Sequence, residues 1–97
     1  MREKLTAEAL DSALLELPNW KLEDGQLVQT ITFSSFVKAI EFVNVAADLA
    51  EKADHHPDID IRYNLLRFVL VTHDAGGITH NDVEMAAKLD SALKARI

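Results

Sequence analysis

Between Ile59 and His73 the chain reads IDIRYNLLRFVLVTH, two strand-like runs with almost nothing between them. In the first, Ile59, Ile61 and Tyr63 alternate with Asp60, Arg62 and Asn64, the period of a half-buried strand. The second is apolar on both faces in its middle, at Phe68, Val69, Leu70 and Val71. Parallel neighbours need a crossover of about a dozen residues or more, so strands this close form an antiparallel hairpin. Paired positions in a hairpin sum to a constant. With the turn centred on Asn64-Leu65 that constant is about 129. His73 then lies opposite His56, or opposite Pro57 after one residue of slip. Histidines far apart in sequence are therefore expected at one end of the sheet.

The other elements follow from period and punctuation. LTAEALDSALLEL is read as a helix capped by Thr6, with Leu10, Leu14 and Leu17 at helical spacing and Pro18-Asn19 ending it. WKLEDGQLVQTITF is read as a second hairpin about Asp24-Gly25, with Leu27, Ile31 and Phe33 on one face and Gln29 as the polar exception. SSFVKAIEFVNVAADLAEKAD is the longest helical stretch, capped by Ser34 or Ser35. Its apolar stripe is read as Phe36, Ile40, Val43, Ala47 and Ala50, widened by Val37, Phe42 and Leu49. After the glycine loop DAGG, ITHNDVEMAAKLDSALKARI is the last helix, with Thr79 as cap and Asp82 three residues on. The order α-β-β-α-β-β-α predicts an α+β fold: a four-stranded antiparallel sheet with three helices packed on one face. The doubly apolar fourth strand suggests that the sheet's other face or edge is covered as well, by a second copy of the chain.

With 97 residues the chain is expected to be one domain, 1–97, with a thin core. It has no cysteine, which removes disulfides, thiolate nucleophiles and zinc–thiolate sites. A net charge of -6 argues against sequence-independent nucleic-acid binding. MREKLTAEALDS has no apolar signal core and no run is long enough to span a membrane, so a cytoplasmic protein is the expectation.

The chemistry concentrates in AEKADHHPDIDIRYN and VTHDAGGITHNDVE. The DAGGIT loop returns the last helix to the end of the sheet where the histidines meet. It brings Asp82, with His80 two residues before it, to that neighbourhood. A metal site built on three imidazoles with Glu51, Asp54 or Asp58 is disfavoured. Adjacent residues of an extended chain point to opposite sides, and no HxH or HxxxH spacing occurs. Acid–base work fits better, because imidazole titrates near neutral pH and nearby carboxylates orient and tune it. With no obvious serine or lysine nucleophile and no phosphate loop, elimination of water is chemistry these groups can perform alone. The bland readings stand beside this one: a solvated loop for His55-His56, a helix-end carboxylate for Asp82, a helix breaker for Pro57 and core packing for Trp20.

The spaced pattern resembles the pterin-4a-carbinolamine dehydratase family. It runs from Glu51 through Asp54-His55-His56-Pro57 and Tyr63 to Thr72-His73 and Asp82. Trp20 and FSSFVKAIEFV extend the likeness over nearly the whole chain. The resemblance implies dehydration of 4a-hydroxytetrahydropterin to quinonoid dihydropterin, the step that recycles the cofactor of aromatic amino acid hydroxylases, with no metal or organic cofactor. It implies His55, His56 and His73 as catalytic and binding histidines. Glu51, Asp54 and Asp82 become supporting acids near the pterin, with Pro57 in the same motif. His55 or His73 is the expected acid, and His56 positions the ring or takes a proton. It implies a homodimer or homotetramer. Ile59-Asp60 replaces the bulkier aromatics of some members, and His80 falls outside the motif and is read as surface. Animal members also partner a homeodomain transcription factor, a role nothing in this chain supports. The alternative function is a non-catalytic interaction module of the same fold.

Overall fold

The structure is a computed structural model that describes residues 3–96. Readings that run to Ile97 or include Met1 and Arg2 extend outside the described residues. The elements are α1 (Ala7–Leu15), β1 (Lys21–Glu23), β2 (Gln26–Thr32), α2 (Phe36–Ala53), β3 (Asp58–Arg62), β4 (Leu65–Leu70) and α3 (His80–Lys94). A single 3-10 turn at His73–Ala75 separates β4 from α3. This is the expected α-β-β-α-β-β-α order. The strands pair antiparallel as β1-β2-β4-β3, so α2 carries the chain past β4 to the far edge of the sheet.

Local chemistry accounts for most boundaries. The Thr6 hydroxyl accepts from the Ala9 amide, Ser35 from the Lys38 amide, and Thr79 with Asp82 completes a capping box. Of the two serines considered for α2, Ser35 is the cap. α1 ends before Pro18, and the Glu16 and Leu17 amides bond back to Ala13 and Leu14 in a tightened last turn. Asp24 and Gly25 both take positive φ, 50° and 74°, as a two-residue hairpin between Glu23 and Gln26 requires.

The core lies between the helices and one face of the sheet. Leu27, Leu66, Phe68 and Leu70 from the strands meet Ala39, Phe42 and Ala46 of α2 and Met85, Ala86 and Leu89 of α3. The Phe42 ring sits 5.6 Å from Phe33 and 5.8 Å, edge-on, from Phe68. The doubly apolar character of β4 divides between faces. Leu66 and Phe68 enter the core, while Val69 pairs with Val28 outside it.

Two expectations need correction. The buried residues of α2 are Ala39, Phe42, Ala46 and Ala50, and Phe36 and Ala47 of the expected stripe are exposed. The apolar surface of α2 is broad enough for two adjacent stripes. Insertion of the Phe42 ring between Phe33 and Phe68, flanked by alanines that let the backbone approach the sheet, selects the second. The β3–β4 turn is Tyr63-Asn64, so Arg62 faces Leu65 and Asp58 faces Val69, a constant of 127 in place of 129. Asn64 explains the shift: its side-chain amide donates to the Phe33 carbonyl, and its own carbonyl accepts from the Phe33 amide, both at 2.8 Å. This clamp fixes the turn to the end of β2 and holds Tyr63 at φ 55°. His73 then has no ladder partner, because β4 ends at Leu70.

The polar exception on β2 has a partner. Asp90 of α3 accepts from the Gln29 amide at 2.9 Å and from the Trp20 indole N–H at 3.0 Å. Trp20 is thus a core residue with a satisfied donor. Asp90→Ala strands two donors among buried side chains and is expected to lower unfolding stability by about 1.5–3 kcal/mol. Urea denaturation with an unchanged m-value checks this.

Candidate active site

α2 delivers the first two histidines through its C-terminus. Asp54 adopts a left-handed conformation (φ 49°, ψ 42°), and the amides of Asp54 and His55 bond back to Glu51 and Ala50 carbonyls. This turn sends the two histidine rings to different environments. His55 enters the interior, where its Nε2 lies 2.6 Å from Oδ1 of Asp82. His56 stays at the surface, with its Nε2 2.5 Å from Oε2 of Glu51.

The third histidine comes from the exit of β4. Thr72 and Gly77 form an isolated antiparallel bridge that closes the loop, and Gly76 ends the turn at φ 74°, a left-handed position that suits glycine. His73 opens that turn and is exposed. Antiparallel pairing puts the start of β3 beside the end of β4, so the segments just outside both strands meet. His55, His56 and His73 line one open concavity of about 210 Å³ with Asp54, Val71, Thr72 and Asp74.

The expected site residues therefore fall into two sets. Asp54 lines the concavity. Glu51 stands beside His56 but is not part of the lining, and Pro57 is half-buried between His56 and β3. Asp82 is fully buried behind His55 rather than facing the concavity. His80 is exposed and bonds to Glu84 one helical turn on, at 3.0 Å. Among the described residues, no group of three or more His, Asp or Glu side chains is arranged to hold a metal ion.

Asp82 anchors a buried polar cluster. Its Oδ2 accepts from the Thr79 amide and the Thr72 hydroxyl, both at 2.8 Å, and the two threonine hydroxyls lie 2.8 Å apart. That Val71 and Asp74 line the concavity was not legible in the sequence, where Thr72 entered only as half of the Thr72-His73 pair. Thr79 was legible only as a helix cap, for which its spacing to Asp82 is sufficient reason. A larger groove, about 530 Å³, is lined by Phe33, Lys38, Glu41, Leu93 and Arg96 among others, and none of the histidines reaches it. Chemistry, not size, selects the smaller concavity.

The fold is an α+β sheet with a histidine-lined concavity, in which one ring is backed by a buried carboxylate. The chain belongs to the pterin 4 alpha carbinolamine dehydratase family, whose model matches residues 3–92. A protein of Acidobacterium capsulatum, provisionally named a pterin-4-alpha-carbinolamine dehydratase, is 50% identical over 90 residues, 93% of this chain and 98% of its own length. A Mycobacterium leprae protein with the same provisional name is 51% identical over 86 residues, 89% of this chain and 92% of its own. A crystal structure described as a transcriptional coactivator/pterin dehydratase from Brucella melitensis superposes with a TM-score of 0.88 at 34% identity, covering 92% of this chain and 97% of that one. A pterin dehydratase-like protein described as a RuBisCO assembly factor in the alpha-carboxysome superposes at 0.61 with 20% identity, covering 74% and 83%. That last likeness is one of fold alone.

Asp54 combines a left-handed backbone with a carboxylate that lines the concavity. Asp54→Gly is expected to keep stability within about 1 kcal/mol, while Asp54→Val loses about 1–2 kcal/mol to the left-handed conformation. Thermal unfolding of both variants tests the backbone role. Reduced activity shared by the glycine variant, whose backbone is unstrained, would report the carboxylate.

Proposed function

We propose that this chain is a hydro-lyase that dehydrates 4a-hydroxytetrahydropterin (pterin-4a-carbinolamine) to quinonoid dihydropterin and water. The observation that carries the reading is the convergence of His55, His56 and His73 on one concavity, with the buried Asp82 carboxylate behind His55. Family membership supports the substrate class.

The reaction needs one proton given and one taken. As the N5 lone pair forms the C4a=N5 bond, the C4a–O bond breaks. The leaving hydroxyl takes a proton from an acid and departs as water, and the N5 proton passes to a base. His55 fits the base, because a carboxylate on its inner nitrogen stabilises the imidazolium formed when the outer nitrogen takes a proton. His73, exposed at the rim, fits the acid, since solvent can restore its proton. His56, held by Glu51, fits a role in seating the ring. The proposed setting is cytoplasmic recycling of the pterin cofactor of an aromatic amino acid hydroxylase. Consistent with this, no helix among the described residues is long and apolar enough to cross a membrane.

The test is loss of freshly made carbinolamine in the presence of the purified chain. His55→Ala and His73→Ala are each expected to slow it by about 10²–10⁴-fold, and a chelator is expected to leave the rate unchanged. Equal rates in wild type and both variants would refute the assignment. No acceleration at all would favour the non-catalytic interaction module, a reading that the coactivator description of the Brucella melitensis neighbour also supports. We also propose that the chain forms a homodimer or homotetramer. β3 is an edge strand with open main-chain groups, and Phe36 and Val37 of α2 are exposed. Light scattering at micromolar concentration is expected to return the mass of two or four chains; the mass of one would overturn this.

A further inference from the structure

The buried cluster behind His55 can be followed proton by proton. Two donors have no freedom: the Thr79 amide must donate to Oδ2 of Asp82, and the Asn81 amide must donate to the Thr79 hydroxyl oxygen, 3.2 Å away. With that oxygen already accepting, the Thr79 hydroxyl proton has the Thr72 oxygen within reach at 2.8 Å. The Thr72 hydroxyl proton in turn goes to Oδ2 of Asp82, also at 2.8 Å. Every proton in the chain thus points toward one carboxylate. An acceptor-only carboxylate satisfies all of these donors and takes the Nε2–H of His55 on its remaining oxygen. Thr72, Thr79 and Asp82 are at most 2% exposed and His55 is 7% exposed, which leaves little access for water to substitute for a missing hydroxyl.

The other imidazole nitrogen follows by elimination. No side-chain nitrogen or oxygen among the described residues is both buried and without a partner. Nε2 is the ring nitrogen engaged with Asp82, and His55 lines the concavity. Nδ1 is therefore the nitrogen presented there.

We propose that Thr72 and Thr79 are positioning residues: acting through Asp82, they hold the Nε2–H of His55 inward and present Nδ1 to the substrate. Thr72 also lines the concavity and Thr79 does not, so the His55 spectra, which a direct substrate contact would not move, carry the test. The proposal deepens the dehydratase reading and rests on it only for the identity of the reaction.

The experiment is chosen so that the two can fail separately. In ¹H–¹⁵N spectra of histidine-labelled protein, His55 is expected to show a downfield Nε2–H proton that exchanges slowly with water. Thr72→Val keeps the side-chain volume and removes the hydroxyl. It is expected to move that resonance upfield and speed its exchange at least about tenfold, whereas Thr72→Ser restores both. In the carbinolamine assay, Thr72→Val is expected to lower kcat by about 10–100-fold, as loss of an orienting partner does, with KM changed less than about twofold. If Thr72→Val fails to fold, Thr79→Val carries the same test, since it keeps the Thr79 amide on Asp82 and replaces the hydroxyl with a methyl of similar size. A His55 Nε2–H resonance that is absent from wild type, or unchanged in a folded hydroxyl-free variant, overturns the proposal whatever the enzyme's activity. An inactive wild type with the expected spectra would refute the dehydratase reading and leave the positioning network standing.

Discussion

The carboxylate of Asp82 ties together three parts of the chain that no ladder joins. Its two oxygens hold the N-terminus of α3 through the Thr79 amide, the exit of β4 through the Thr72 hydroxyl, and the segment after α2 through the His55 ring. A buried carboxylate is tolerable only when its hydrogen-bond capacity is filled, and losing one of its donors costs about 1.5–3 kcal/mol. The three segments therefore cannot drift independently. The concavity owes its shape to that constraint: His55 and Thr72, which line it, are two of the three groups that hold Asp82.

α3 repeats the device further along. Asp90 joins the indole after α1 to Gln29 of β2, so the helix carries two acids among its inward-facing apolar residues Met85, Ala86 and Leu89. One acid serves the site and the other the packing of the sheet. Both break the apolar stripe that would otherwise mark the inner face of the helix. α1, by contrast, has no fully buried residue and contributes Leu10 and Leu14 only as partly buried contacts on the core. The sheet with α2 and α3 supplies nearly all of the buried core, and the histidines sit at the ends of these elements.

The structural neighbours show why the site, and not the architecture, has to carry the functional reading. One close fold carries a coactivator and dehydratase description and a more distant one an assembly-factor description, and a fold by itself does not choose between such roles. The residues that favour chemistry here are those a scaffold does not need: a buried imidazole–carboxylate pair and two further histidines at the same rim.

Much of this was legible in the sequence because it rests on local rules. Helix caps, a two-residue hairpin loop and alternation in β3 depend on neighbours within a few positions, so Thr6, Thr79, Asp24-Gly25 and the element order could be read directly. The meeting of His55, His56 and His73 was legible too, because a short connection forces antiparallel pairing. The hairpin register was not. A shift of the pairing constant by two keeps every side chain on its own face, so apolar patterning cannot distinguish 127 from 129. The Asn64 clamp on Phe33 decides it from outside the hairpin. The stripe of α2 was likewise decided by the Phe33 and Phe68 rings against which Phe42 packs. The sequence by itself determined the elements, their order and the end of the sheet where the histidines gather, because those follow from chain connectivity and local hydrogen bonding. Only the tertiary structure decided that Asp82, already held by the Thr79 amide in its capping box, also stands behind His55 and accepts from the Thr72 hydroxyl. That arrangement depends on hydrogen bonds between residues brought together by packing, and no local period encodes it.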